Sequence, residues 1–134
     1  MKIFFDENFS PKLSSGLQKL QDGIYDEDIE VLSIKEKFFR GIPDEEWIPK
    51  IAQMHGTVIT QDLNIHRTKL QYSLCKKNKI GIIFFKPPRE SKINYWEWVV
   101  WVIKRWSNVK DCINSSSRPF AYRFTPRKAK PEKL

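Results

Sequence analysis

The sequence predicts an α/β fold with a central, mainly parallel sheet of four or five strands. Short, almost purely apolar runs at residues 2–5, 29–33, 57–60 and 80–85 are the expected strands. Runs without polar alternation suit strands that are covered on both faces. Between them lie helix-patterned stretches at 11–21, 44–54 and 68–78, with another at 92–109. A β-α-β-α order with short connections makes successive strands run the same way.

At 134 residues the chain suits one domain and one core. Residues 1–125 are expected to form it, with 126–134 as a basic, flexible tail. Hydrophobic residues make up 40% of the chain, enough for a packed interior, so disorder is not expected. The two cysteines, Cys75 and Cys112, lack CxxC or Cys/His spacing, which argues against a zinc site or a disulfide framework. The opening apolar run is too short for a signal peptide, and residues 95–106 are too short to span a bilayer. No membrane role and a cytoplasmic location are the resulting expectations.

In the first element, Lys2-Ile3-Phe4-Phe5 ends abruptly in Asp6-Glu7-Asn8. A buried strand that ends this way delivers an acid to the carboxyl edge of the sheet, where open α/β sheets collect their ligands. Ser10 is the expected cap of the first helix, with Pro11 at its first position and Leu13, Leu17 and Leu20 at helical spacing. The acidic loop 26–28 precedes a strand and is expected as a solvated turn, and 35–41 as a charged loop.

Pro43-Asp44-Glu45-Glu46-Trp47 has the signature of a helix start: Asp44 can cap, and the acids favour the positive end of the helix dipole. Trp47, Ile51 and Met54 line one face of this helix, Pro49 should bend it, and Gly56 should end it. The third strand is again followed by a carboxylate, in Thr60-Gln61-Asp62. A basic helix from Thr68 should turn Leu70 and Leu74 inward. The stretch 92–109 holds four of the five tryptophans and is apolar nearly all round, as expected of a core helix. Its minor alternative is a partner face, a second copy of the chain included. Phe120, Tyr122 and Phe124 alternate with Ala121 and Arg123, as in a last edge strand.

Charge is divided along the chain. The net charge is +8, yet residues 1–62 carry 7 Lys/Arg against 12 Asp/Glu, and residues 63–134 carry 17 against 4. An acidic half that could hold a metal thus adjoins a basic half that could hold phosphates. Asp6 and Asp62 leave parallel strands at the same edge, and Asp44 and Glu45 begin a helix between them. Carboxylates about 4 Å apart repel by about 4 kcal/mol at an effective dielectric near 20, so either their pKa values rise or a cation sits among them. Mg²⁺ or Mn²⁺ suits such oxygen ligands, and could stabilise charge on a phosphodiester and activate water.

Taken together, these motifs resemble the PIN-like ribonucleases of toxin–antitoxin modules, in particular the short branch related to the VapC toxins. The segments that carry the resemblance are 2–8, Pro43-Asp44-Glu45-Glu46-Trp47-Ile48-Pro49, and Val58-Ile59-Thr60-Gln61-Asp62. It implies a three-layer α/β/α fold, RNA cleavage dependent on Mg²⁺ or Mn²⁺, and a cognate antitoxin protein. It also implies that Asp6, Asp44 or Glu45, and Asp62 form the catalytic metal cluster. Asn8, Asn64, His66 and Arg67 are secondary candidates, for orienting those acids or contacting RNA. Many PIN domains carry a fourth acid, but here no acid follows Asp62 until Glu90. That motivates the alternative of a PIN-like nucleic-acid- or partner-binding module with impaired chemistry. A third expectation is a hydrolase of DNA or small phosphoesters.

Overall fold

The structure is a computed structural model that describes all residues, 1–134. Six strands form one sheet: β1 (Lys2–Phe5), β2 (Glu30–Ser33), β3 (Thr57–Gln61), β4 (Gly81–Phe85), β5 (Phe120–Phe124) and β6 (Glu132–Lys133). Their order is β2-β1-β3-β4-β5-β6. The first five are parallel, and β6 runs antiparallel to β5. The sheet therefore exceeds the expected four or five strands by the two-residue β6, which makes β5 an interior strand.

Six helices cover it: α1 (Pro11–Gln21), α2 (Ile34–Lys37), α3 (Asp44–Gln53), α4 (Ile65–Lys77), α5 (Tyr95–Lys104) and α6 (Trp106–Ser115). Alternation along the strands divides the core in two. Ile3, Phe5, Ile59 and Phe85 pack with Leu13 of α1, Val102 of α5 and Val109 of α6. Phe4, Val58, Ile82 and Phe84 pack on the other face with Trp47 and Ile51 of α3 and Cys75 of α4. The result is three layers, with every residue of β3 and β4 buried. No helix is long and apolar enough to cross a membrane.

Local chemistry explains most boundaries. Ser10 caps α1 by accepting from Lys12 N at 3.1 Å, and Pro11 follows it. Pro43 precedes α3 and Asp44 is its first residue, so the Asp44 carboxylate is not spent on capping. Pro49 lies inside α3, which continues to Gln53. The left-handed residue after α3 is His55 (φ 55°), not Gly56. Gly56 is needed for room: a Cβ there would lie 2.7 Å from the Phe4 ring.

Three helical expectations are corrected. The charged loop begins as the short helix α2. α4 starts at Ile65, three residues before Thr68, because the Asn64 side chain accepts from His66 N and Arg67 N. Its buried residues are Thr68, Gln71 and Cys75; Leu74 packs partly against the core as expected, while Leu70 is exposed. The long tryptophan-rich helix is two helices, broken at Arg105 (φ −98°, ψ 4°). The break lets Trp106 turn into the core, where its Nε1 donates to Gln21 Oε1 at 2.9 Å. One face of α5 packs through Trp101 and Val102, whereas Trp96 and Val100 are exposed.

Candidate active site

The strand order reverses direction between β1 and β3, because the chain moves from β1 outward to β2 and then back across to β3. In open α/β sheets the carboxyl ends at such a reversal form a crevice. Asp6 follows β1 and Asp62 follows β3, so both acids flank it. Period-2 alternation then fixes the face. Asp6 continues the Phe4 side, Thr60 and Asp62 the Val58 side, and Arg123 the Ala121 side, all facing the layer of α3 and α4. Both of those helices point their N-termini to the same edge, which brings up Asp44 and Arg67.

Asp6 is fully buried. Its Oδ1 accepts from Asn8 N at 3.1 Å, and its Oδ2 accepts a short hydrogen bond from the Thr60 hydroxyl. Asp44, 9% exposed, accepts from Trp47 Nε1 at 3.0 Å. Arg67 lies between these two acids. Its guanidinium forks onto Asp44, with Nε to Oδ2 and Nη2 to Oδ1 both at 3.3 Å, and Nη2 is 3.8 Å from Asp6 Oδ2. A guanidinium is thus the counter-ion where the sequence called for a cation.

Asp62 belongs to a neighbouring pair. Its Oδ2 accepts from Arg123 Nε at 2.9 Å, and its Oδ1 from the Thr68 hydroxyl at 2.8 Å. The structure therefore brings Asp6 and Asp44 onto one partner and holds Asp62 on another. No group of three or more His, Cys, Asp or Glu side chains is placed to hold a metal ion. Glu45 is exposed on the first turn of α3, outside this network. Asn8 is exposed and contributes its backbone N–H, Asn64 caps α4, and His66 is exposed.

Sequence reasoning passed over several members of the network. Thr60, Thr68 and Trp47 bond the acids directly, and Arg123 was read only as part of an alternating strand. An arginine flanked by Tyr122 and Phe124 inside an apolar strand was the available signal for it. Glu7, which alternation turns away from Asp6, accepts from Gly41 N at 3.2 Å and adds negative charge near Arg67. Behind Thr60, Gln71 is buried with its Oε1 3.4 Å from the hydroxyl and its Nε2 unpartnered. Thr60 has one proton, given to Asp6, so turning the Gln71 amide would let Nε2 donate to Thr60 and satisfy both groups.

Burial dominates the Asp6 carboxyl and raises it from 3.8 to about 6, against the Thr60 hydrogen bond and the Arg67 charge. Burial alone would lower the Arg67 guanidinium, but hydrogen bonds to Asp44 and the Asp6 charge outweigh it and raise it. For Asp6 the native state holds a proton between about pH 4 and 6 that the unfolded chain has lost. The stability this gives is fully present below about pH 4 and lost as pH rises through 6. Two pKa units correspond to about 3 kcal/mol. Urea denaturation from pH 4 to 7 should therefore show Asp6→Asn gaining about 3 kcal/mol on the parent across that window. Parallel curves for the two proteins would contradict a buried, raised Asp6.

Residues 1–87, about two thirds of the chain, match the family described as PIN like domain. The chain belongs to the PIN-like domain family. The match spans β1 through β4, and so includes Asp6, Asp44, Asp62 and Arg67 of this PIN-like site. It stops before α5, α6, β5 and Arg123. No curated protein and no solved structure matches the chain.

Whether these side chains suit a divalent metal is a question of donors. Asp6 and Asp44 are two buried carboxylates on one cation, and both offer hard oxygen donors. Mg²⁺ is commonly held by one or two carboxylates with waters and substrate phosphate making up the rest. The pair fits such an ion, provided Arg67 moves off it.

Proposed function

We propose that this PIN-like chain is a metal-dependent endoribonuclease, and that Asp6 and Asp44 hold its Mg²⁺ or Mn²⁺ ion. The observation that carries this reading is Arg67, a cation shared by two buried carboxylates at the reversal point of the sheet. Asp62 is the proposed third acid, on the same face of the sheet, with Glu45 a spare carboxylate on the α3 turn. The resemblance of the three acid-bearing motifs to VapC-related toxins supports a further step: the toxin of a toxin–antitoxin pair, with a cognate antitoxin protein as partner.

When bound, a divalent ion supplies Lewis-acid stabilisation of charge on the scissile phosphate and acidifies water. The chain's own groups do the rest. Thr60 and the Asn8 N–H fix the two Asp6 oxygens, so the carboxylate is oriented before any ligand arrives. Trp47 fixes Asp44. Arg67, once released, is a planar, charged donor next to the site and suits a phosphate oxygen. The buried position of Asp6 strengthens each of these charge interactions.

A second reading is favoured by the absence of a three-acid cluster: a PIN-like binding module without hydrolysis. Chelation separates the two. RNA incubated with the protein should be cut with Mg²⁺ or Mn²⁺ and stay intact with EDTA. RNA that is bound but uncut under both conditions would favour the binding module.

A further inference from the structure

Beside Asp62 the surface opens into a cleft of about 940 Å³ between α4 and the loop that joins β4 to α5. Lys69 lines it from α4, with Lys86, Arg89 and Lys92 on the opposing loop. None of these four cations has an acidic partner in the protein, whereas Arg67, Lys110 and Arg123 are each paired with a carboxylate. The carboxylates that line the cleft are Asp62, already neutralised by Arg123, and Glu90. With Asp62 paired to Arg123, Glu90 is one acid against four cations, so the walls carry a net positive charge. Leu63 and Ile65 also line it and stand 59% and 64% exposed, although a fold gains nothing from apolar side chains left in water. Uncompensated cations beside exposed apolar groups match a ligand with a repeating anionic backbone and flat, weakly polar faces.

We propose that this cleft binds a single-stranded polynucleotide, with phosphates on Lys69, Lys86, Arg89 and Lys92 and bases against Leu63 and Ile65. A duplex fits the pattern poorly, because its base faces are stacked away from such apolar groups. Asp62 lines the cleft, so a strand lying in it passes beside the proposed third acid. Arg89 and Lys92 follow residue 87, which puts these two cations outside the PIN-like match. The inference builds on the nuclease reading but concerns binding, which needs no metal.

The test is fluorescence anisotropy of labelled single-stranded RNA, and of DNA of the same sequence, in EDTA at several salt concentrations. Four phosphate contacts predict a slope of log K against log salt of roughly −3. Replacing Lys69, Lys86, Arg89 and Lys92 by Ala should weaken binding at least tenfold and flatten that slope. Replacing Lys19, Lys76, Lys77 and Lys79 by Ala removes the same charge elsewhere and should leave binding nearly unchanged. Loss confined to the first set with either strand supports the cleft, and the RNA-to-DNA ratio identifies the preferred sugar. Equal loss in both sets, equal affinity for a duplex, or equal competition by polyglutamate overturns it. A chain that binds through the cleft and never cleaves RNA with Mn²⁺ sinks the nuclease reading alone. Cleavage with cleft-independent binding sinks this inference alone.

Discussion

Replacing Asp6 by Asn should abolish Mg²⁺- or Mn²⁺-dependent RNA cleavage while leaving the protein folded and more stable near neutral pH. The two effects have one cause. Asp6 is fully buried and its carboxyl is raised to about 6, so the charged form costs stability at pH 7. Asn has the same shape, keeps an oxygen for the Thr60 hydroxyl, and carries no charge to bury. A metal ligand that loses its charge forfeits several kcal/mol of stabilisation in the transition state. Since each 1.4 kcal/mol is tenfold in rate, cleavage should fall about a hundredfold or more. Gel-resolved cleavage rates beside urea denaturation curves check both effects at once. Unchanged cleavage would remove Asp6 from the mechanism, and lost cleavage with lost stability would mean only that the fold had failed.

Arg67→Ala should tighten Mn²⁺ binding. In the free protein the guanidinium forks onto Asp44 at 3.3 Å and lies 3.8 Å from Asp6, so an ion that uses both carboxylates must first displace it. Hydrogen bonds to charged groups contribute roughly 1.5–3 kcal/mol. Removing that competitor should lower the Mn²⁺ dissociation constant about 10- to 100-fold by titration calorimetry. Without metal the same variant should lose about 1–3 kcal/mol of stability, since two buried acids are left unpaired; this is below the cost of breaking a fully buried pair because the Arg67 side chain is 31% exposed. Arg67→Lys should fall between, because an ammonium cannot fork onto Asp44 and reach Asp6 together. Weaker Mn²⁺ binding in Arg67→Ala would show instead that Arg67 supports the metal-bound arrangement.

The site was legible in part, and particular residues show where the limit lay. Asp6 and Asp62 could be placed at one sheet edge because continuous apolar runs, joined by helices, make parallel strands. The start of α3 was readable from Pro43 and the three acids after it. Arg67 and Arg123 were visible as residues, but their roles were not. Asn64 stood as a candidate for orienting the acids or contacting RNA, whereas its side chain caps α4 by accepting from the backbone of His66 and Arg67. The break at Arg105 has no proline or glycine to announce it; its visible result is the seating of Trp106 against Gln21, 85 residues away in sequence.

Local sequence was enough for strands β1 to β4, their common direction, and the delivery of Asp6 and Asp62 to the carboxyl edge. Those features follow from local periodicities of 2 and 3.6 residues, which each segment carries on its own. Long-range packing sets the place of Asp44 at that edge and the partners of the acids: Asp6 and Asp44 on Arg67, and Asp62 on Arg123. The partners are 61, 23 and 61 residues apart along the chain for Asp6 with Arg67, Asp44 with Arg67, and Asp62 with Arg123. No periodic pattern reaches that far. Such pairs are set by how whole layers pack, and by the cost of leaving a buried carboxylate without a cation.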